Sequence, residues 1–343
     1  MSTETPTLTK KDFQTDQEVR WCPGCGDYAI LSAVQQVFPE LGIPREKFVV
    51  VSGIGCSSRF PYYMNTFGFH SIHGRAPAVA TGLKLARPDL DVWIATGDGD
   101  AMSIGGNHLI HTLRRNVVVK ILMFNNRIYG LTKGQYSPTS EIGKKTKSTP
   151  AGSVDYPFNP LSLAIGAGAT FVARSVDIFQ THLRDTLRRA AQHKGTAFVE
   201  IYQNCNIFND KAFTYMTDKE TKDGSVLYLE HGKPVVFDKG QKGVRMRGTQ
   251  MEVIELGGEY GPGDCLVWDE NLDNPATAFL AAQLLPPQFP TALGVFRSVD
   301  VPSYEERVIE QMQQETDRLG VGKLEDLLKS GDTWTVAADH HAH

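Results

Sequence analysis

"DVWIATGDGDAMSIGGNHLIHTLRRNVVVKILMFNN", residues 91–126, decides the fold. DVWIAT (91–96) and VVVKILMF (117–124) are apolar, β-branched runs of the kind buried on both faces of a sheet, and about 103–114 between them has helical spacing. A crossover helix joining two such strands is the unit of a parallel sheet. Gly97-Asp98-Gly99 follows the first strand and Asn125-Asn126 ends the second, so both loops fall on the carboxyl edge, where open α/β sheets bind ligands. Asp98 offers a carboxylate and Asn126 an amide oxygen, hard donors suited to Mg²⁺. The glycines let the backbone and a helix amino terminus approach phosphate oxygens. A GDG alone is most simply a β-turn; the asparagine pair at the end of the next strand turns the reading towards a magnesium diphosphate site.

The same alternation runs outward in both directions. Asp27 can cap a helix to about residue 38, with Ala29, Ile30, Ala33, Val34, Val37 and Phe38 on one face, ended by Pro39 and Gly42. FVVVS (48–52) reads as a buried strand and APAVATGLKLA (76–86) as a small-residue helix. Further on come a short helix near 160–167, the strand TFVA (170–173), an amphipathic helix over 177–194 burying Ile178, Phe179, Leu183, Leu187 and Ala190, and a strand at 196–203. The expectation is an α/β protein, a parallel sheet with helices on both faces. A polar segment, 1–20, precedes a core at 21–215, and 216–343 forms a smaller C-terminal extension of short strand-like pieces with an amphipathic helix near 303–319. The closing HHAH (340–343) reads as a disordered, tag-like tail.

Composition narrows the function. With 343 residues, 41% hydrophobic and 22% charged, the chain can bury a core, and a net charge of −4 gives no basic footprint for nucleic acid. No apolar run approaches a membrane span, and the polar start lacks a secretory core, so a cytoplasmic protein is expected. Five cysteines in such a chain suit metal or catalytic use better than a disulfide framework. Cys265 reads as a buried thiol.

The other four fall into a pattern. Cys22 and Cys25 sit in "RWCPGCGDYAI", Cys56 lies just past the strand 48–52, and Cys205 just past the strand 196–203. Cys56 and Cys205 therefore project from the same sheet edge, and the turn bearing Cys22 and Cys25 can complete a four-thiolate site. Zinc and an iron–sulfur cluster both accept four sulfurs; the isolated positions of Cys56 and Cys205, unlike paired zinc knuckles, lean towards the cluster.

Taken together, "CPGCG", "GIGCSSR", "HGRAPAVATGLKLARPDL", the GDG and NN unit, "IYGLTKGQYSPTS" and the late Cys205 occur in the order seen in the beta subunit of 2-oxoacid:ferredoxin oxidoreductases, and the resemblance spans about residues 18–215. It implies that Cys22, Cys25, Cys56 and Cys205 ligate one 4Fe–4S cluster. It implies that Asp98, Asn126 and the carbonyl of Ile128 hold Mg²⁺ on thiamine diphosphate. Gly55, Cys56, Ser57, His73, Gly74, Gly97, Gly99, Asp100, Gly130, Leu131 and Thr132 lie on the matching segments that would line the cofactor. His73, by itself most simply a core histidine, is drawn towards a catalytic place by "HGRA". The chemistry implied is oxidative decarboxylation of a 2-oxoacid: the thiamine ring serves as electron sink, the cluster takes electrons singly, coenzyme A receives the acyl group and ferredoxin carries the electrons away. Zinc has no redox chemistry to offer that sequence.

The glutamate that thiamine enzymes place against the aminopyrimidine ring comes, in this family, from a separate alpha subunit with a pyrimidine-binding domain. The resemblance therefore implies a shared active site and an α2β2 assembly. Pyruvate-type members carry a glycine pair before the glutamine of the substrate-side loop; here the loop reads Thr132-Lys133-Gly134-Gln135, similar to 2-oxoglutarate-using members. Lys133 suits the distal carboxylate of a dicarboxylic acid, and equally solvent or the phosphates of coenzyme A. Pyruvate and branched 2-oxoacids remain alternative substrates, and a non-oxidative thiamine decarboxylase or a zinc-stapled scaffold are the other classes.

Overall fold

The computed structural model describes residues 8–336, so the HHAH tail lies outside the described residues. Among the described residues eleven strands form one sheet, in the order β10-β9-β8-β7-β11-β5-β6-β4-β3-β1-β2 when numbered along the chain. The core strands are β1 (Phe48–Ser52), β2 (Phe67–His70), β3 (Asp91–Gly97), β4 (Val119–Asn125), β5 (Phe171–Val176) and β6 (Ala197–Tyr202), and every pairing among them is parallel.

Alternate residues of β1, β3 and β4 enter two cores. Val49, Val51, Val92, Ile94, Ile121 and Met123 face one side, under the helices α2 (Ala76–Ala86), α4 (Gly106–Arg115) and α5 (Pro160–Gly166). Phe48, Val50, Trp93, Ala95, Leu122 and Phe124 face the other, under α1 (Asp27–Val37) and α6 (Gln180–Gln192). Burial on both faces is why these strands read as continuous apolar runs rather than as alternation. Phe38 at the end of α1 stacks on Phe48 at 4.3 Å and packs against Trp93 at 5.0 Å, which fixes the helix whose other end follows the Cys22–Cys25 turn.

Several details differ from the sequence reading. The helix expected at 103–114 is α4, which begins only at Gly106 and runs to Arg115, and a short helix that went unread, α3 (Asp98–Met102), starts directly after β3. Gly105 lies between them because its backbone packs against Gly74, where a Cβ would come 2.5 Å from the Gly105 nitrogen. Helix α6 starts at Gln180 rather than 177, and Ile178, expected inside, is 53% exposed. The cause is Asp177, whose carboxylate accepts from Ile178 N–H at 2.7 Å and Asn204 N–H at 3.0 Å, holding the turn open. Edge strand β2 went unread; it is exposed along its length and has no buried face to leave a pattern.

Beyond residue 215, the described residues extend the same sheet through β7 (Val226–Leu229), β8 (Val236–Phe237), β9 (Lys242–Arg247), β10 (Gln250–Glu255) and β11 (Thr291–Ser298). β11 joins it by pairing antiparallel with β5 and parallel with β7. The helix Tyr304–Leu319 matches the expected span and starts at a capping box, Glu306 N–H to Ser303 Oγ at 3.2 Å and Ser303 N–H to Glu306 Oε2 at 2.9 Å. Cys265 is buried, as expected. No helix among the described residues is long and apolar enough to cross a membrane.

Candidate active site

Adjacent strands β6, β4, β3 and β1 deliver, side by side at one edge, the loops bearing Cys205, Asn126, Asp98 and Cys56. Between them lies a cleft open to solvent. Its wall includes Gly55, Cys56, Ser57, His73, Gly97, Asp98, Gly99, Asp100, Asn126, Ile128, Gly130, Leu131 and Thr132. Gly74 stands behind that wall, its N–H donating to Asp100 Oδ1 at 2.7 Å. Lys133 is exposed and off the wall, with its backbone left-handed at φ +75°.

The two aspartates of GDGD differ in role. Asp100 is buried and saturated by the chain itself: Oδ1 accepts from Ile54 N–H (3.1 Å) and Gly74 N–H, and Oδ2 from Thr96 Oγ1 (2.7 Å). It knits three loops together, while His73 Nδ1 lies 3.0 Å from its Oδ1, off the hydrogen-bonding line. Asp98 is equally buried, and Ser137 Oγ (2.5 Å) and Thr139 Oγ1 (2.6 Å) both approach its Oδ2. Burial pushes the Asp98 carboxyl up to about 6, against the pull of those hydroxyls, so a cation beside it would restore the anion. Thr139 Oγ1 is also 2.9 Å from Asn125 Oδ1, tying the GDG and NN loops into one network. Asn126 Oδ1 accepts from Ile128 N–H at 3.1 Å, which closes the turn.

A magnesium diphosphate fits this wall. Ser57 Oγ is buried at the cavity with no partner among the described residues, a hydroxyl free to donate to a phosphate oxygen. Gly99 admits the Tyr129 ring, since a Cβ there would lie 2.2 Å from it, and Tyr129 OH donates to Gly99 O at 3.0 Å.

The four cysteine positions converge on the same edge. Trp21 Nε1–H donates to Cys56 O at 2.7 Å, Gly26 N–H to Asn204 O at 3.1 Å, and Asn206 Nδ2 to Pro23 O at 2.7 Å. These bonds clamp the Cys22–Cys25 turn to the loops of Cys56 and Cys205. Gly130 sits among the sulfurs, where a Cβ would be 3.6 Å from both Cys56 Sγ and Cys205 Sγ. Burial raises the Cys56 thiol to about 12 and pushes Cys25 up further, so these groups ionise only beside a cationic centre. Among the described residues no three His, Cys, Asp or Glu side chains come close enough to hold a single metal ion.

The comparisons with known proteins agree with this geometry. The model of the thiamine pyrophosphate enzyme C-terminal TPP binding domain matches residues 53–201. The 2-oxoglutarate oxidoreductase subunit KorB of Mycobacterium tuberculosis is 54% identical over 97% of this chain and 93% of that protein. The chain belongs to the beta subunits of the 2-oxoacid:ferredoxin oxidoreductases. The beta subunit of the 2-oxoacid:ferredoxin oxidoreductase of Saccharolobus solfataricus is 47% identical over 69% of this chain and 78% of its own. The 2-oxoglutarate:ferredoxin oxidoreductase from Magnetococcus marinus, solved with 2-oxoglutarate, coenzyme A and succinyl-CoA bound, superposes with a TM-score of 0.77 at 31% identity, covering 96% of this chain and 98% of that one.

In this beta subunit, sequence reasoning missed four side chains at the site. Asp27, read only as a helix cap, is instead the first residue of α1, the cap position being Gly26, and it is buried on the cavity wall. Ser137 and Thr139 were quoted only within "YSPTS", and nothing in a hydroxyl's sequence position announces that it reaches a carboxylate about 40 residues earlier. Gln203, whose Nε2 donates to Cys25 Sγ at 3.1 Å, follows β6 directly, and its place next to a strand end was the available signal.

Proposed function

We propose that this beta subunit carries the oxidative decarboxylation of 2-oxoglutarate: 2-oxoglutarate, coenzyme A and two oxidised ferredoxins give succinyl-CoA, CO₂, a proton and two reduced ferredoxins. The observation that carries the reading is a shared wall. Cys56 and Gly130 line the cofactor cavity, and Gly130 lies against the sulfurs of Cys56 and Cys205, so a cofactor there would border a cluster held by the cysteines.

Asp98, Asn126 and Ile128 would hold Mg²⁺, and the glycine loops with Ser57 would receive the diphosphate. Cys22, Cys25, Cys56 and Cys205 would hold a 4Fe–4S cluster. When bound, thiamine diphosphate supplies the electron sink for loss of CO₂, and the cluster accepts the two electrons one at a time. The chain's own work is to orient the cofactor, exclude water and keep His73 at the wall, where it can exchange a proton. The wall carries Asp27, Asp98 and Asp100 but no glutamate among the described residues. An alpha subunit would supply the aminopyrimidine partner in an α2β2 enzyme of the cytoplasm. The substrate follows the KorB relatives and Lys133 at the loop beside the mouth.

Anaerobic coexpression with the cognate alpha subunit tests the reading. About four irons per beta chain, brown visible absorbance and ferredoxin reduction that needs both 2-oxoglutarate and coenzyme A are the expected results. A colourless zinc protein, or faster turnover of pyruvate than of 2-oxoglutarate, would overturn it.

A further inference from the structure

The turn after β4 sends successive residues into opposite cavities. Asn126 and Ile128 line the cofactor cavity, whereas Arg127 between them lines a second cavity together with Asn125, Arg174, Glu200 and Tyr202. Arg127 has φ +56°, a left-handed backbone that a long side chain adopts only where the surroundings hold it there.

Aromatic rings do the holding. The guanidinium lies 4.9 Å from the Phe213 ring centroid and 5.5 Å from that of Tyr202, and the two rings stack on each other at 4.4 Å. The Tyr202 ring also faces Arg174 at 5.1 Å. Arg174 is fixed by Glu200 at 2.6 Å, and Glu200 accepts from Asn125 Nδ2 at 2.7 Å. Arg127 forms no ion pair among the described residues; its guanidinium lies against these ring faces, with the Glu200 and Glu141 carboxylates acting on it from beyond ion-pair distance. The backbone is pinned on both sides, Arg127 N–H donating to Asn125 Oδ1 at 3.1 Å and its carbonyl accepting from Ser140 Oγ at 2.6 Å.

We propose that Arg127 is the positioning residue of the metal turn: its guanidinium, seated against Tyr202 and Phe213, holds the left-handed backbone that puts Asn126 and Ile128 on the same wall. The inference rests on the reading of Asp98, Asn126 and Ile128 as the Mg²⁺ ligands. It makes a distinction that a merely structural role does not. Alanine removes the anchor and disfavours the backbone, whereas glycine removes the anchor and tolerates the backbone.

The test is a calorimetric Mg²⁺ titration of the assembled enzyme, depleted of metal and supplied with thiamine diphosphate. Arg127→Ala should raise the Mg²⁺ Kd about tenfold or more, as loss of supporting contacts around a metal site does. Arg127→Gln, neutral and close in length, should do the same and serves if the alanine variant does not assemble. Arg127→Gly should stay within about threefold of the wild type, because the turn keeps its shape. Wild-type affinity in the alanine and glutamine variants would overturn the inference, and so would equal losses with alanine and glycine, which would mean the guanidinium acts on the site in some way other than through the turn. Asp98→Ala is the control for the parent reading. If it retains Mg²⁺ affinity, the ligand assignment fails; if it abolishes binding while Arg127→Ala does nothing, only the role of Arg127 fails.

Discussion

Lys133 occupies a position where the backbone itself favours glycine, with φ +75° and Gly134 following at +96°. Holding a lysine in that conformation costs about 1–2 kcal/mol, strain that glycine would not carry. If its ammonium pairs the distal carboxylate of 2-oxoglutarate, Lys133→Gly should lower kcat/KM for 2-oxoglutarate about 30-fold or more, in line with losing one partner of a desolvated charged hydrogen bond, and leave pyruvate nearly unchanged. Glycine is the better replacement than alanine, since it keeps the loop. Steady-state kinetics at saturating coenzyme A decide the matter: equal losses for both acids sink the specificity role, and a raised KM for coenzyme A with every 2-oxoacid assigns the charge to that co-substrate. The lysine was legible as an exception within a loop, but its exposure and its strained backbone were not, because φ is set by the bonds Lys133 N–H to Gly130 O and Gly134 N–H to Tyr129 O. In the same way Asp98 was legible while its two hydroxyl partners were not. A carboxylate after a strand has a position; a hydroxyl on a long loop acquires one only when the loop closes.

At the scale of elements, the strands and the loops that follow them were readable because burial on both faces leaves a continuous apolar run, and the end of such a run marks an edge. Where a helix breaks was not readable, because the break between Met102 and Gly106 comes from a contact made by another segment. Gly74, at φ +70°, meets Gly105 so closely that a Cβ would be 2.5 Å from its nitrogen and 2.6 Å from its Cα. Both atoms are backbone and cannot swing aside. Gly74→Ala therefore combines a left-handed strain with a steric clash, and about 3 kcal/mol or more of stability should be lost. Chemical denaturation of the purified variant measures it. Gly82, in α2 with open space around its Cβ position, supplies the comparison: Gly82→Ala should be neutral or stabilising by about 1 kcal/mol. Equal stability of the two variants would mean that the contact between Gly74 and Gly105 is not what separates α3 from α4.

Across the whole molecule, the extension beyond residue 215 was legible as short strands but not as a continuation of one sheet, since pairing between β5 and β11 joins segments far apart in sequence and leaves no local pattern. A polar cluster ties these distant parts together. Asn116 accepts from Thr170 Oγ1 at 2.6 Å and Thr196 N–H at 2.9 Å, and its Nδ2 donates to Val301 O at 2.8 Å. With its proton committed to Asn116, Thr170 Oγ1 accepts from His193 Nε2 at 2.7 Å, which assigns the proton of the neutral ring to that nitrogen. Burial, with Lys120 nearby, lowers the His193 pKa to about 4, from an ordinary value of 6.5. The unfolded chain therefore takes up this proton before the folded one does. The stability His193 permits is fully present above about 6.5 and is lost progressively as pH falls towards 4, by at most about 3 kcal/mol. Asp98 and Asp27, raised to about 6 and about 7, run the other way in the absence of metal and cluster, since their folded forms bind protons more readily than the unfolded chain. The acid stability curve of the chain alone is thus a difference of opposed slopes, and only a variant isolates the histidine. His193→Gln, which can still donate to Thr170, should flatten the dependence on His193: the wild type minus variant difference in unfolding free energy should change by about 2–3 kcal/mol between pH 7 and pH 4, in the direction of a wild type losing ground in acid. Urea titrations at several pH values give that difference directly, and a difference independent of pH would show that His193 is no more reluctant to protonate in the folded protein than in the unfolded one.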